Sequence, residues 1–199
     1  MTLVQAAFGQ QTHLKQAALV LGGSLFIAIA AQVSVPMFPV PMTLQTLAIL
    51  IVGLTFGARL GALTLVAYLA EGAMGLPVFA NANNGAAFFG PTAGFLIGFV
   101  GLAALVGWAA DRGLTKNVFA TALICIAASA ALYIPGIAWP MAVAAVFGFD
   151  ASWVGQGFGS YYWTYFVAPF LVGDAVKAVI AALVAVSYTH LTLPTICSV

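Results

Sequence analysis

Asp174 and Lys177 lie three residues apart in LVGDAVKAV (171–179), within an otherwise apolar stretch from Trp163 to Val186. On a helix, residues at this spacing share a face and can touch. Ionisable groups inside hydrocarbon cost roughly 2.5–3.5 kcal/mol each on insertion scales, so they are candidates for function. An acidic acceptor beside a cationic donor suits a polar solute bound out of water, or else a self-neutralising pair facing a neighbouring helix. Glu71 is the third such group; it has no partner in the sequence and lies in a span broken by Gly72, Gly75 and Pro77. It reads equally as solvated by a pore or as part of a site.

Other polar groups cluster near the ends of apolar runs. Thr43, Gln45 and Thr46 open one run, and Asn81, Asn83 and Asn84 punctuate a loop. Their amides both donate and accept hydrogen bonds. Tyr161, Tyr162, Trp163 and Tyr165 lead into the last run. They read as an interfacial aromatic belt, or as one or two walls of a ligand site with Tyr165 as the candidate. No Ser/His/Asp, Cys/His or HExxH arrangement occurs, and no glycine-rich stretch carries the Lys and Ser/Thr of a phosphate loop. The chain is therefore not expected to be an enzyme or to hydrolyse ATP. Cys125 and Cys197 form neither a CxxC nor a His/Cys cluster, so no metal or other cofactor is expected.

The elements that position these groups must sit in lipid. Of 199 residues 64% are hydrophobic and only 5% charged, against about 25% charged in ordinary globular chains. A net charge of +1 offers nothing to a nucleic acid. Apolar spans of bilayer length read as Gln16–Val35, Met42–Ala58, Leu60–Val78, Pro91–Ala110, Asn117 to at least Ile134, and Trp163–Val186. The fold class is thus all-α, a bundle of six transmembrane helices, with seven as the alternative because Pro135-Gly136 leaves the end of the fifth open. A tight turn is required around Gly57–Gly61.

Lys15, Arg59, Arg112 and Lys116 fall on one side of this six-span arrangement, and loops 36–41, 80–90 and 148–162 contain no Lys or Arg. By the positive-inside rule both termini are cytoplasmic. Residues 1–15 read as a cytoplasmic lead-in rather than a signal peptide, and residues 16–186 as the membrane domain. The tail, Ser187–Val199, resembles a translated sequencing adapter and is read as non-native, so His190 and Cys197 carry no weight. Small residues recur at intervals of four, including Gly53/Gly57/Gly61, Gly90/Gly94/Gly98, Ala18/Gly22 and Ser24/Ala28. Such ladders let helix backbones approach closely.

The segments Val35–Phe79, FGPTAGFLIGF (89–99) and PFLVGDAVKA (169–178) resemble the BioY family, the biotin-specific substrate-binding subunits of energy-coupling factor transporters. The resemblance spans roughly Ala18 to Val186. It implies a six-helix protein of the bacterial or archaeal cytoplasmic membrane that captures biotin at its outer face. Uptake in the family is driven by a transmembrane coupling protein and two ATPases, which alone use ATP, and the subunit is thought to topple in the membrane. Ala18, Gly22, Ser24 and Ala28 would supply the surface for the coupling protein. Asp174 and Lys177 would bind biotin, with Gln45 and an Asn of the 81–84 loop, taken as Asn84. Asp174 would accept from a ureido N–H, and Lys177 would meet either the ureido carbonyl or the carboxylate. Two features depart from the family pattern: the loop NANNGAAFFGPTAG is asparagine-rich where glycine dominates, and Glu71 stands where an apolar residue is commoner. Other readings are the same architecture with thiamine or riboflavin, and an ion or proton carrier using Glu71, Asp174 and Lys177.

Overall fold

The computed structural model describes residues 12–147 and 160–196. Most of the lead-in, nearly all of the 148–162 loop, and Cys197 lie outside them, as does the side chain of His190. The helices are α1 (His13–Gln32), α2 (Gln45–Ala73), α3 (Ala93–Asp111), α4 (Val118–Phe147), the single turn α5 (Ser160–Tyr162) and α6 (Ala168–Ile196). A π-helical segment, Trp163–Val167, joins α5 to α6. Among the described residues five helices are long and apolar enough to cross a membrane, with α5, the π segment and most of α6 forming the last.

α2 is not straight. Gly57 has φ 82° and ψ 176°, a conformation essentially confined to glycine. The chain folds back there: Gln45 Nε2 donates to Tyr68 Oη at 2.9 Å although the two are 23 residues apart, a separation of about 35 Å on a straight helix. Near the fold, a Cβ on Gly61 would lie only 3.5 Å from Gly53 Cα. α3 packs into this corner. A Cβ on Gly107 would come within 2.4 Å of Ala58 N, and one on Gly53 within 2.9 Å of Ala103 O. Side chains are excluded where three backbones meet, which is the physical content of the glycine ladder. The second arm of α2 starts with an unpaired amide, and Asp111 satisfies it, Oδ2 accepting from Ala58 N at 3.0 Å. A carboxylate at a helix N-terminus also opposes the helix dipole favourably.

α1 runs alongside the second arm. Gly23 faces Phe56 and Thr64, Ser24 donates to Glu71, and Gln32 reaches Phe79. The beginning of α1 therefore lies at the Gly57 end, and Lys15, Arg59, Arg112 and Lys116 share that end of the bundle. Arg112 also stacks 4.1 Å over the Trp108 ring. The opposite end carries loops 36–41 and 79–92. A two-residue antiparallel ribbon, β1 (Ser34–Val35) and β2 (Met42–Thr43), closes the first of these loops, an element outside the all-α expectation. The second loop is built of two short 3₁₀ turns, Ala80–Ala82 and Gly85–Phe89.

α4 continues through Pro135 and Pro140 to Phe147, which resolves the open end of the fifth span. Proline is tolerated in such helices when neighbours cover the disrupted turn. Here α3 provides the cover: a Cβ on Gly94 would lie 2.1 Å from Pro135 O, and one on Gly98 2.8 Å from Pro135 Cγ. The helical backbone of α6 also extends past Val186 to Ile196; no proline or glycine interrupts residues 187–193.

Candidate functional site

Three helices bring polar groups to one point near the loop-bearing end. Asp174 and Lys177 project from one face of α6, and Gly173 lets that helix sit close to Met42, its Cβ position being 3.0 Å from the sulfur. Thr46 stands in the first turn of α2, and Tyr133 precedes the proline-bearing turn of α4. Lys177 Nζ donates to Asp174 Oδ1 at 3.1 Å and to Thr46 Oγ1 at 3.0 Å. Tyr133 Oη donates to Asp174 Oδ2 at 2.6 Å, and Thr46 Oγ1 makes a long contact of 3.4 Å to Oδ1. Asp174 and Lys177 are only 8% and 7% exposed. The pair is electrically neutral and incompletely used. The ammonium retains one N–H beyond the two bonds just given, and a carboxylate offers about four lone-pair sites.

This cluster lines a cavity of about 290 Å³, close to the lower end of the range of about 300–1,000 Å³ typical for small-molecule sites. Phe95, Leu96, Phe99, Leu132 and Phe170 supply apolar sides. Loop residues Pro39, Val40, Pro41, Asn81 and Asn83 lie over it. Because Lys177, Phe99 and Leu132 sit well inside their helices, the charged pair belongs to the floor and the loops form a roof.

The sequence-derived candidates separate in space. Asp174, Lys177 and Gln45 all line the cavity. Gln45 is buried, and its bond to Tyr68 is continued by Tyr68 Oη donating to Val78 O at 2.9 Å, beneath the roof. Asn84 does not line it: its Oδ1 accepts from Ala86 N at 3.2 Å and caps the second 3₁₀ turn, while Asn81 and Asn83 face the cavity instead. Glu71 is turned to α1, accepting from Ser24 Oγ, so it is not assembled with Asp174 and Lys177 into a relay. Tyr165 is exposed and packs against Tyr161 with the rings tilted by 44° and centroids 4.8 Å apart, outside the cavity lining. The α1 stripe also splits. Ala18 and Gly22 are exposed, whereas Ser24 and Ala28 are buried against α2 and cannot form one outward surface with them. Tyr133, which lines the cavity and bonds to Asp174, is a candidate that sequence reasoning missed; a lone tyrosine immediately before Ile-Pro-Gly in an apolar run was the available signal. Among the described residues no group of His, Cys, Asp and Glu could hold a metal ion.

A multi-pass helical membrane protein, with a roofed apolar cavity and a buried acid–base pair in its floor, is a solute-binding membrane protein. The chain belongs to the BioY family, whose profile matches residues 5–193. It is 33% identical over 165 residues to a protein of Rhizobium etli named biotin transporter BioY, covering 79% of this chain and 82% of that one. Identity to a probable biotin transporter BioY of Pyrococcus horikoshii is 34%, covering 81% and 90% of the two chains. To the biotin transporter BioY of Rhodobacter capsulatus it is 36%, covering 83% and 87%. The fold is shared with the crystal structure of an S-component for biotin from an ECF-type ABC transporter, at a TM-score of 0.71 and 21% identity over 91% of this chain and 95% of that one.

Proposed function

We propose that the cavity binds biotin and that the chain is the substrate-binding subunit of a biotin uptake system in a cytoplasmic membrane. The observation that carries the reading is the neutral Asp174–Lys177 pair, crossed by Thr46 and Tyr133, at the floor of an apolar cavity. Biotin's ureido ring is neutral and presents two N–H donors beside a carbonyl acceptor. Asp174 accepts from an N–H, and the remaining N–H of Lys177 donates to the carbonyl. Placing biotin's carboxylate on this floor would add a negative charge to a buried pair already neutral, which desolvation disfavours. The valerate therefore points to the roof, toward Asn81 and Asn83, and the apolar walls hold the fused rings.

In this reading the two arms of α2 count as separate spans, giving six. The end bearing Lys15, Arg59, Arg112 and Lys116 is cytoplasmic, both termini are inside, and the cavity opens outward. Uptake is then driven by an ATP-powered coupling module of one transmembrane protein and two ATPases. The exposed part of α1, including Ala18 and Gly22, is the surface offered to the coupling protein. No cofactor is required by the subunit itself.

Competition with ligand analogues tests the orientation. Iminobiotin replaces the ureido oxygen with a nitrogen donor that opposes the Lys177 ammonium, and it is expected to bind at least about a hundredfold more weakly than biotin, as sites built around a hydrogen bond reject its loss. A biotin amide, altered only at the roof, should lose less than about tenfold because partly solvated charges contribute little. The reverse ranking would turn the ligand end for end.

A further inference from the structure

The roof is held by a residue that does not line the cavity. Gln32 ends α1, and its Nε2 donates to Phe79 O at 3.1 Å and to Ala28 O at 3.2 Å. Its Oε1 accepts from Ala82 N at 2.9 Å. One carboxamide thus ties both ends of segment 79–82 to a helix. Ser34, just beyond, donates from Oγ to Asn81 Oδ1 at 3.0 Å. The segment needs such holding, because Asn81 and Ala82 have φ of 58° and 55°. Asparagine visits the left-handed region readily, whereas the Cβ of alanine clashes there. Phe79, Ala80, Asn81 and Asn83 all line the cavity, and Gln32, Ser34 and Ala82 do not. Beneath the clasp the Phe79 ring is buried edge-to-face against Tyr68 and Phe88, with centroids 5.3 and 5.5 Å away. The segment is therefore anchored from below by a ring and from the side by Gln32.

We infer that Gln32 is a positioning residue that keeps the roof segment 79–83 closed over bound ligand and thereby sets how fast the ligand leaves. The inference rests on the cavity being the biotin site. Gln32→Met keeps the side-chain length and removes both hydrogen-bonding functions. Ala82→Gly removes the Cβ penalty, so the left-handed turn no longer depends on being held.

Chase of labelled biotin from the purified full chain tests this. Q32M should release biotin about tenfold faster than wild type with an association rate changed less than about threefold, since affinity differences in related complexes reside mostly in dissociation. In an A82G background the same substitution should accelerate release by no more than about threefold, because glycine adopts the turn unaided. Equal release from Q32M and wild type would overturn the inference, as would the same acceleration in both backgrounds. Hydrogen exchange of the 79–83 amides reads the clasp without ligand. Q32M should raise it at least about tenfold through local opening, and unchanged exchange would overturn the clasp whether or not biotin is the ligand. Failure of wild type to bind biotin, with exchange raised in Q32M, would instead overturn only the ligand assignment. If Q32M does not yield folded protein, S34A removes a single bond to the same segment and should raise both rates in the same direction by a smaller factor.

Discussion

Lys177→Met is expected to weaken biotin binding by at least about thirtyfold, corresponding to the 2–5 kcal/mol lost when one member of a desolvated charged contact is truncated. It should also lower the stability of the ligand-free protein by about 3–5 kcal/mol, because Asp174 is left buried without its counter-charge. The two effects separate when Asp174→Asn is added. The double variant has no uncompensated charge, and replacing a whole buried pair is often close to neutral for stability. Thermal unfolding in detergent should therefore recover toward wild type. Binding should not recover, since the ureido group then meets neither a carboxylate nor an ammonium. Tyr133 and Thr46 each keep a polar neighbour at residue 174 in that variant, which limits secondary damage. A double variant that binds biotin as wild type does would remove the pair from the ligand contacts.

The second large effect is expected at the corner of α2. Gly57→Ala places a Cβ on a residue with φ 82° and ψ 176°, and such a conformation costs of order 1–3 kcal/mol in any residue but glycine. Little relaxation is available, because α3 approaches within contact of the same peptide through Gly107 and Asp111 holds Ala58 N. The loss should thus reach about 2–3 kcal/mol, read as a lower midpoint in thermal or denaturant unfolding. Unchanged stability would mean that the fold-back is not fixed at Gly57.

Both features are legible in the sequence for simple reasons. Asp174 and Lys177 stand out because nothing else in their run is charged, and three-residue spacing puts them together whatever the surroundings. The turn at Gly57 is signalled by a glycine ladder and Arg59 between two apolar runs. Other features depend on tertiary placement. The orientation of each asparagine in the 81–84 loop is set by 3₁₀ turns and left-handed residues, so Asn84 caps its turn while Asn81 and Asn83 face the cavity. Tyr133 reaches Asp174 only because α4 and α6 pack together. Pro135 leaves the end of its span open in the sequence, and the helix continues through it where Gly94 and Gly98 bring α3 against it. The split of the α1 stripe follows from helix geometry: at about 100° per residue, Ala18 and Ser24 lie about 120° apart around the helix, so they do not share one face. Ser24 is turned inward to Glu71, which gives that carboxylate a partner within the bundle and takes it out of the ligand cavity.

The central claim is that this cavity is a biotin site, and calorimetric titration of the purified, ligand-free wild-type protein with biotin, thiamine and riboflavin tests it most directly. Saturable binding of biotin to one site, with neither of the other vitamins bound, is the predicted result. Binding of thiamine or riboflavin with no heat from biotin would contradict it.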